Sequence, residues 1–206
     1  MTEGEIRDNE WVTAMATTEP TTGRTVLPGV PPFTVDDLLK FPDDGNRYEL
    51  SNGSLLVSPA PLPLHQLVIT QIIWILRKTK IAGLVPLTTV NLRVSDSDYY
   101  IPDLAVADIR SVRSGELMLA PRDVKLAVEV VSPSTKDRDR IWKTAAYAAA
   151  GIPMYWRVEV GGEPAVYVHE LDGETYGPPA VYKAGTMVTL QSPYPISFDP
   201  AELFEE

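Results

Sequence analysis

The sequence contains no cysteine and only two histidines, His65 and His169. The absence of cysteine excludes disulfide bonds and metals held by thiolates. Two histidines also argue against a zinc site of the usual histidine-rich kind. We therefore expect any metal bound by this chain to be held by oxygen ligands.

Long hydrophobic runs are missing as well. No segment approaches the roughly 18 consecutive apolar residues that a membrane-spanning helix requires. The first ten residues, MTEGEIRDNE, lack the basic and apolar regions of a signal peptide. The sequence therefore predicts a cytoplasmic protein that does not contact a membrane.

Positive charge is scarce, because 18 lysines and arginines face 28 aspartates and glutamates, which gives a net charge of −10. This excess argues against broad electrostatic attraction to nucleic acid. A local basic cluster exists nevertheless, in which acidic residues are interspersed. The cluster consists of Lys136, Arg138, Arg140 and Lys143. These residues either contact phosphates or form an ordinary solvated helix face.

The hydrophobic content of 44% in 206 residues suits one domain with appendages better than two domains. Residues 1–32 are rich in Thr, Pro and Gly without apolar periodicity, so we predict a flexible N-terminal arm there. Residues 33–206 are predicted to form a single domain with its core at about 62–160.

In the first half of that domain, Thr34 is predicted to cap a short helix whose Val35, Leu38 and Leu39 face inward. Asn52-Gly53 predicts a β-hairpin. The segment from Leu64 to about Lys80 is apolar on nearly every face, which predicts a helix enclosed within the fold. Three strands are then expected, in the segments VPLTTVNLRV, IPDLAVAD and KLAVEVV.

In the second half, Ser134 and Asp137 resemble a capping box that begins a helix ending near Ala150. IPMYWRVEV alternates as a half-buried strand does. HELDGETYG and YKAGTMVTL suggest one or two hairpins, and DPAELF a terminal helical turn. The order helix, three strands, helix, strand predicts an α/β fold with a mixed sheet flanked by helices, and hairpins at both ends.

One carboxylate stands out in this pattern. Glu129 interrupts the otherwise apolar run 126–131, where an uncompensated charge costs several kcal/mol. Asp103 begins the preceding predicted strand, so both carboxylates can meet at one sheet edge if the strands are neighbours. A divalent cation, most naturally Mg²⁺, would relieve their repulsion. A salt bridge from Glu129 to Lys143 or to an arginine is the structural alternative.

Several motifs together resemble the Uma-type restriction endonucleases of the PD-(D/E)XK nuclease superfamily, over about residues 33–160. The motifs are Tyr48-Glu49-Leu50, Asn52-Gly53, His65, Pro102-Asp103, the EVVSPS segment at 129–134, Lys143, Tyr147, Gly151-Ile152-Pro153 and Tyr155-Trp156. The resemblance implies a restriction-endonuclease-like core and an endonuclease that cleaves DNA with Mg²⁺, or with Mn²⁺ as a substitute. A homodimer is the default expectation, since such enzymes cut both strands.

The resemblance also implies site residues. Asp103 and Glu129 match the metal-binding acids, and the backbone carbonyl of Val130 is a further expected ligand. Val131 occupies the position of the usual lysine, so we expect Lys143 on the following helix to replace it. Spacing puts Lys143 beside an inward helix face made of Trp142, Ala145, Ala146 and Ala149. Weaker replacements are Lys136 and Lys125.

Two further residues are candidates with open alternatives. Glu49 is either a third acid near the metal or a solvated hairpin glutamate. His65 is either a proton shuttle or phosphate contact, or a hydrogen-bonded histidine at a helix start. His169 is expected on a hairpin surface without a role. The alternative functions are a catalytically inactive nuclease-like module that binds nucleic acid or protein, and an interaction domain in which Glu129 and Lys143 form only an ion pair.

Overall fold

The computed structural model describes residues 27–58, 61–79, 81–131 and 141–205. The helices are Val35–Leu38 (α1), Pro63–Lys78 (α2), Ile109–Arg113 (α3) and Lys143–Ala149 (α4), with 3₁₀ turns at Pro121–Asp123 and Pro200–Phe204. The strands are Arg47–Ser51 (β1), Ser54–Ser58 (β2), Leu84–Thr88 (β3), Leu92–Arg93 (β4), Tyr99–Tyr100 (β5), Leu104–Asp108 (β6), Val124–Val131 (β7), Met154–Glu159 (β8), Ala165–Asp172 (β9), Thr175–Tyr176 (β10), Ala180–Lys183 (β11), Val188–Leu190 (β12) and Ile196–Phe198 (β13).

The central sheet has the strand order β10-β9-β8-β7-β6-β3, and β11 pairs with β9. β3, β6 and β7 are antiparallel neighbours, whereas β7 and β8 run parallel because α4 connects them. The predicted order of helix, three strands, helix and strand is thus confirmed as α2, β3, β6, β7, α4 and β8. The segment VPLTTVNLRV, however, is not the single strand that was predicted, because it divides into β3 and β4, which belong to different sheets. Strands β1, β2, β4 and β5 form a second sheet.

The two faces of the central sheet pack against different partners. One face carries Leu126, Val128 and Val130 of β7 and packs against α2 and the hairpin of β12 and β13. The other face carries Ala127 and Glu129 and lies against α4 and the second sheet. β7 is therefore buried on both faces, as its composition predicts.

Two local predictions at the N-terminal side are confirmed. The Thr34 side chain accepts a hydrogen bond from the Asp37 amide, and the Asp37 carboxylate accepts one from the Thr34 amide, which completes a capping box for α1. Asn52 and Gly53 both adopt positive φ between β1 and β2. A Cβ at Gly53 would lie 2.6 Å from Cβ of Pro32, so the turn packs closely on the preceding segment.

Other details differ from the sequence-based expectation. Leu39 is exposed rather than buried, because α1 ends before it. α2 is not enclosed, since Leu67 and Trp74 face solvent. β8 is buried on both faces rather than half-buried, because Met154, Trp156 and Val158 lie in one core cluster and Tyr155 lies in the cluster on the opposite face. The segment YKAGTMVTL is not a hairpin: its two strands, β11 and β12, pair with β9 and β13.

Some expectations fall outside the described residues. These are residues 1–26 of the predicted arm, the capping box of Ser134 and Asp137, and the basic residues Lys136, Arg138 and Arg140. Within the described part of the chain, no helix is long and apolar enough to cross a membrane.

Candidate active site

Two neighbouring strands carry the predicted acid pair. Asp103 directly precedes β6, and Glu129 lies near the end of β7, so the antiparallel pairing of the two strands brings both to the same end of the sheet. Both residues are buried. Glu129 lies on the α4 face because alternation along β7 directs Val128 and Val130 into the opposite core.

Lys143 is the cation that compensates Glu129. Its ammonium lies 2.8 Å from Oε1 of Glu129 and 3.0 Å from Oε1 of Glu49. The residue is only 2% exposed, so the contact is an internal ion pair and not a surface one. One ammonium therefore bridges acids from the hairpin strand β1 and the central strand β7.

Glu49 is fixed from a second side. Its Oε1 also accepts a hydrogen bond of 2.8 Å from the amide of Ile101, in the segment that leads to Asp103. Glu49 is buried, so the structure excludes the alternative of a solvated hairpin glutamate. The hairpin is thereby connected to the chain immediately before β6.

Tyr147 contributes a contact that the sequence reading did not assign. Its hydroxyl donates a hydrogen bond of 2.7 Å to Oε1 of Glu129. Burial and the neighbouring Glu129 carboxylate raise the pKa of Tyr147 well above its ordinary value, so the phenol stays protonated and donates. The available signal was its spacing of four residues from Lys143, which places both side chains on one helix face.

Asp103 forms a separate hydrogen-bonded group with His65. Nε2 of His65 lies 3.1 Å from Oδ2 of Asp103, and the same oxygen accepts a hydrogen bond of 2.9 Å from the Val130 amide. Burial by itself raises the pKa of Asp103. Three neighbours outweigh burial: His65 by its hydrogen bond and charge, Lys143 by its charge, and Val130 by its amide. The pKa of Asp103 therefore lies below its ordinary value.

The ionised Asp103 fixes the roles of both partners. Because a carboxylate can only accept, Nε2 of His65 is the donor in their contact. Nδ1 of His65 is buried without a hydrogen-bond partner among the described residues. Asp103 keeps 11% exposure of its side chain, and within the described chain its Oδ1 accepts no hydrogen bond. One oxygen of Asp103 is therefore left for a ligand.

The structure thus brings together Glu49, Glu129 and Lys143, and it pairs His65 with Asp103. The Val130 carbonyl points to the β6 side, as its amide does, since both groups of one strand residue face the same neighbour. Lys125 is directed elsewhere, because its ammonium donates to the carbonyl of Arg122.

Two sequence-based placements near this site were wrong. The inward face of α4 is made by Lys143 and Tyr147, whereas Trp142, Ala145 and Ala149 face outward. The alanine-rich face does not mark the core, because the buried ion pair and the tyrosine occupy that position. Lys143 is accordingly enclosed rather than at the boundary of the face.

His169 is also misplaced by the sequence reading. It is only 5% exposed, and its ring stacks on Tyr155 at 5.4 Å between ring centroids. Burial, together with the charge of Arg157, lowers the pKa of His169 to about 4. The surface assignment failed because His169 lies on the sheet face where the rings of Tyr155 and Tyr176 pack against it, and not on the surface of a terminal hairpin.

One family model matches most of this chain. The model of the family Uma2, described as "Putative restriction endonuclease", matches residues 35–201. The chain belongs to the Uma2 family. The match covers every residue of the candidate site and extends beyond the resemblance seen at residues 33–160, which it confirms.

A solved structure shares the Uma2 chain's fold. It is described as a "putative nuclease belonging to DUF820" from Anabaena variabilis ATCC 29413, with a TM-score of 0.68 and 17% sequence identity. The similarity covers 84% of this chain and 97% of the other. The predicted restriction-endonuclease-like fold is confirmed. No protein in the curated set matches this chain in sequence.

Proposed function

We propose that this member of the Uma2 family is an endonuclease that hydrolyses phosphodiester bonds in DNA with Mg²⁺, and with Mn²⁺ as a substitute. The observation that carries the proposal is the distance of 2.8 Å between the Lys143 ammonium and Oε1 of Glu129. Val131 is buried and apolar and cannot supply a cation. Lys143 therefore provides, from the following helix, the charge that the usual lysine position lacks.

The donor set suits a divalent cation that prefers oxygen. Asp103, Glu129 and Glu49 are three buried carboxylates, and carboxylate oxygens are the ligands that Mg²⁺ prefers in proteins. The unengaged Oδ1 of Asp103 offers one oxygen to a ligand. Mg²⁺ needs only one or two protein carboxylates and keeps several waters.

The proposed ligands are Asp103, Glu129 and the Val130 carbonyl. They do not form a cluster of three acids or histidines that could enclose a metal, and the described residues contain no such cluster. A site of two carboxylates and one carbonyl is compatible with this finding, since waters complete the coordination of Mg²⁺. When bound, the cation supplies charge stabilisation for the phosphate and a more acidic water.

The remaining residues have supporting roles in this proposal. Lys143 orients Glu129 and Glu49 and offsets charge that develops on the phosphate. Tyr147 fixes Glu129 through its hydroxyl. His65 holds Asp103 by Nε2, and its Nδ1 has no hydrogen-bond partner among the described residues.

The direct test is the conversion of supercoiled plasmid DNA to nicked or linear forms in Mg²⁺ or Mn²⁺. Asp103→Asn and Glu129→Gln are expected to reduce the rate by at least about 100-fold. The matched control is Asp108→Asn at the opposite end of β6, where the carboxylate pairs with Arg110 at the surface. Cleavage that both site variants retain at the wild-type rate would refute the assignment.

A second candidate function is a nuclease-like module that binds nucleic acid or protein without catalysis. In such a module, the ion pair of Glu129 and Lys143 has only a structural role. This candidate is favoured by the contacts of Glu129, whose Oε1 already accepts from both Lys143 and Tyr147. In that case, Glu129→Leu combined with Lys143→Met leaves stability unchanged or improved and alters no metal response.

A homodimer is part of the first proposal, and light scattering of the purified chain tests it.

A further inference from the structure

A groove of about 630 Å³ lies beside the candidate active site, between the second sheet and α4. We call it the α4 groove. Its walls include Ser51, Asp98 and Tyr100 on the sheet side and Trp142, Ala146 and Ala149 on the helix side. The volume is in the range of small-ligand sites, which are concave and largely apolar with a few polar groups.

The helix side of the α4 groove suits a flat ring. Alanines make a low surface there, and Trp142 is 56% exposed although it is a large apolar residue. An indole offers a large flat surface on which another aromatic ring can stack. This wall therefore favours a planar aromatic ligand over a branched aliphatic one.

The sheet side offers polar groups at one edge of such a ring. The Tyr100 hydroxyl makes only long contacts, 3.4 Å to the Ser51 hydroxyl and 3.4 Å to Oδ1 of Asp98. Tyr100 itself is buried, and it lines the groove. Its hydroxyl and that of Ser51 thus retain capacity for hydrogen bonds with a ligand.

Charge restricts the ligand further. No lysine or arginine is among the described residues that line the α4 groove, and Asp98 adds a negative charge to its wall. A phosphate is therefore disfavoured in the groove, whereas an uncharged heterocycle is accepted. The groove also adjoins the site, since Tyr100 packs edge-to-face on Tyr147 at 5.6 Å and Trp142 directly precedes Lys143.

We propose that the α4 groove binds an unstacked nucleobase of the substrate strand, stacked on Trp142 and hydrogen-bonded at its edge by Ser51 and Tyr100. The proposal rests on the nuclease function proposed above. It adds to that function a base-binding subsite next to the candidate active site. Single-stranded or distorted DNA is then the preferred substrate, because its bases are free to leave the stack.

The test is fluorescence anisotropy of an end-labelled single-stranded DNA oligonucleotide in EDTA, which prevents cleavage. Trp142→Ala is expected to weaken binding about tenfold, the usual effect of losing one stacking residue, and Trp142→Phe to restore most of it. Trp74→Ala is the matched control, because Trp74 is 64% exposed on α2, away from the groove. Equal effects of the two alanine variants would overturn the proposal.

Two further arms sharpen the result. Ala149→Leu keeps a good helix-forming residue but fills the α4 groove, so it is expected to weaken binding as Trp142→Ala does. An oligonucleotide with abasic positions is expected to bind the wild-type chain more weakly than the intact one. Equal affinity of the intact and abasic oligonucleotides would overturn the proposal, because contacts with the backbone alone would then account for binding.

Free nucleoside is the other source of the same ligand chemistry. If deoxyadenosine displaces the oligonucleotide at concentrations as low as the oligonucleotide's own, the groove serves a nucleoside and the proposal of a strand-bound base fails. The result is separable from the nuclease proposal. If Asp103→Asn abolishes cleavage but Trp142→Ala does not change binding, the nuclease proposal stands and the subsite proposal fails. If Asp103→Asn retains cleavage but Trp142→Ala weakens binding, the nuclease proposal fails and the base-binding groove stands.

Discussion

The two faces of β7 differ in a way that separates stability from function. Leu126, Val128 and Val130 face an apolar core of aliphatic and aromatic side chains. On the other face, Glu129 meets Lys143 and Tyr147 in an enclosed polar group. The same strand therefore supports an ordinary core on one side and an expensive set of buried charges on the other.

The difference suggests what each face is for. Aliphatic packing is the least costly way to bury a strand, and a buried ion pair is often no more stable than an apolar pair of similar size. The buried charges of Glu49, Glu129 and Lys143 thus call for a reason other than stability. A divalent cation and a phosphate provide one, and the following predictions test whether the two faces respond differently.

The largest expected effect on stability is that of Lys143→Ala. It leaves Glu49 and Glu129 buried without their shared cation, which costs about 3–5 kcal/mol when one partner of a buried pair is removed. Urea denaturation without divalent ions measures this change. A loss below about 1 kcal/mol would mean that water already compensates both carboxylates.

On the aliphatic face, Leu126→Ala is expected to lower the free energy of unfolding by about 2–5 kcal/mol, because it creates a cavity in the core. The comparison lies in the response to metal. Adding Mg²⁺ is expected to raise the melting temperature of Leu126→Ala as it does for wild type, but not that of Glu129→Gln. An equal response of both variants would remove the distinction between the faces.

Tyr147→Phe has a smaller expected effect. It removes the hydrogen bond of 2.7 Å to the Glu129 carboxylate, and bonds to charged groups contribute about 1.5–3 kcal/mol. Tyr100→Phe is the control, since its hydroxyl makes only contacts of 3.4 Å and should contribute less. Chemical denaturation of both variants gives the difference, and equal losses would contradict the ranking.

The smallest effect concerns pH. His169 has a pKa of about 4 in the fold against 6.5 for the ordinary side chain, so the unfolded chain binds a proton between these values that the folded chain does not. Stability therefore falls as pH decreases from 6.5 towards 4, by about 1 kcal/mol between pH 7 and pH 5.5. His169→Gln should flatten this part of the profile, and an unchanged slope would contradict the assignment.

The sequence predicts the sheet well where local signals are strong. Alternation and β-branched residues locate β7, Asn52-Gly53 locates the hairpin, and Gly151 with Pro153 ends α4. These signals depend on the backbone preferences of a few neighbouring residues, so they survive without knowledge of the tertiary structure. The core order and the fold followed from them.

Other features depend on contacts between distant segments and were not predictable in the same way. The burial of His169 depends on the rings of Tyr155 and Tyr176 that pack against it, and the exposure of Trp142 depends on which side of α4 faces the sheet. For the site, Glu129 was found because a charge in an apolar run is visible in sequence, and Lys143 was found because the family resemblance implies a replacement for the lysine absent at Val131. The hydrogen bond of Tyr147 needed the packing of α4 on β7.

The central claim is that the charged face of β7 is a divalent-cation site, and calorimetric titration tests it most directly. Mg²⁺ or Mn²⁺ is titrated into the wild-type chain, Asp103→Asn and Glu129→Gln, with Asp108→Asn as control. The account predicts a saturable heat for wild type and the control, and none for the two site variants. Absence of binding by wild type, or binding unchanged in both site variants, would contradict it.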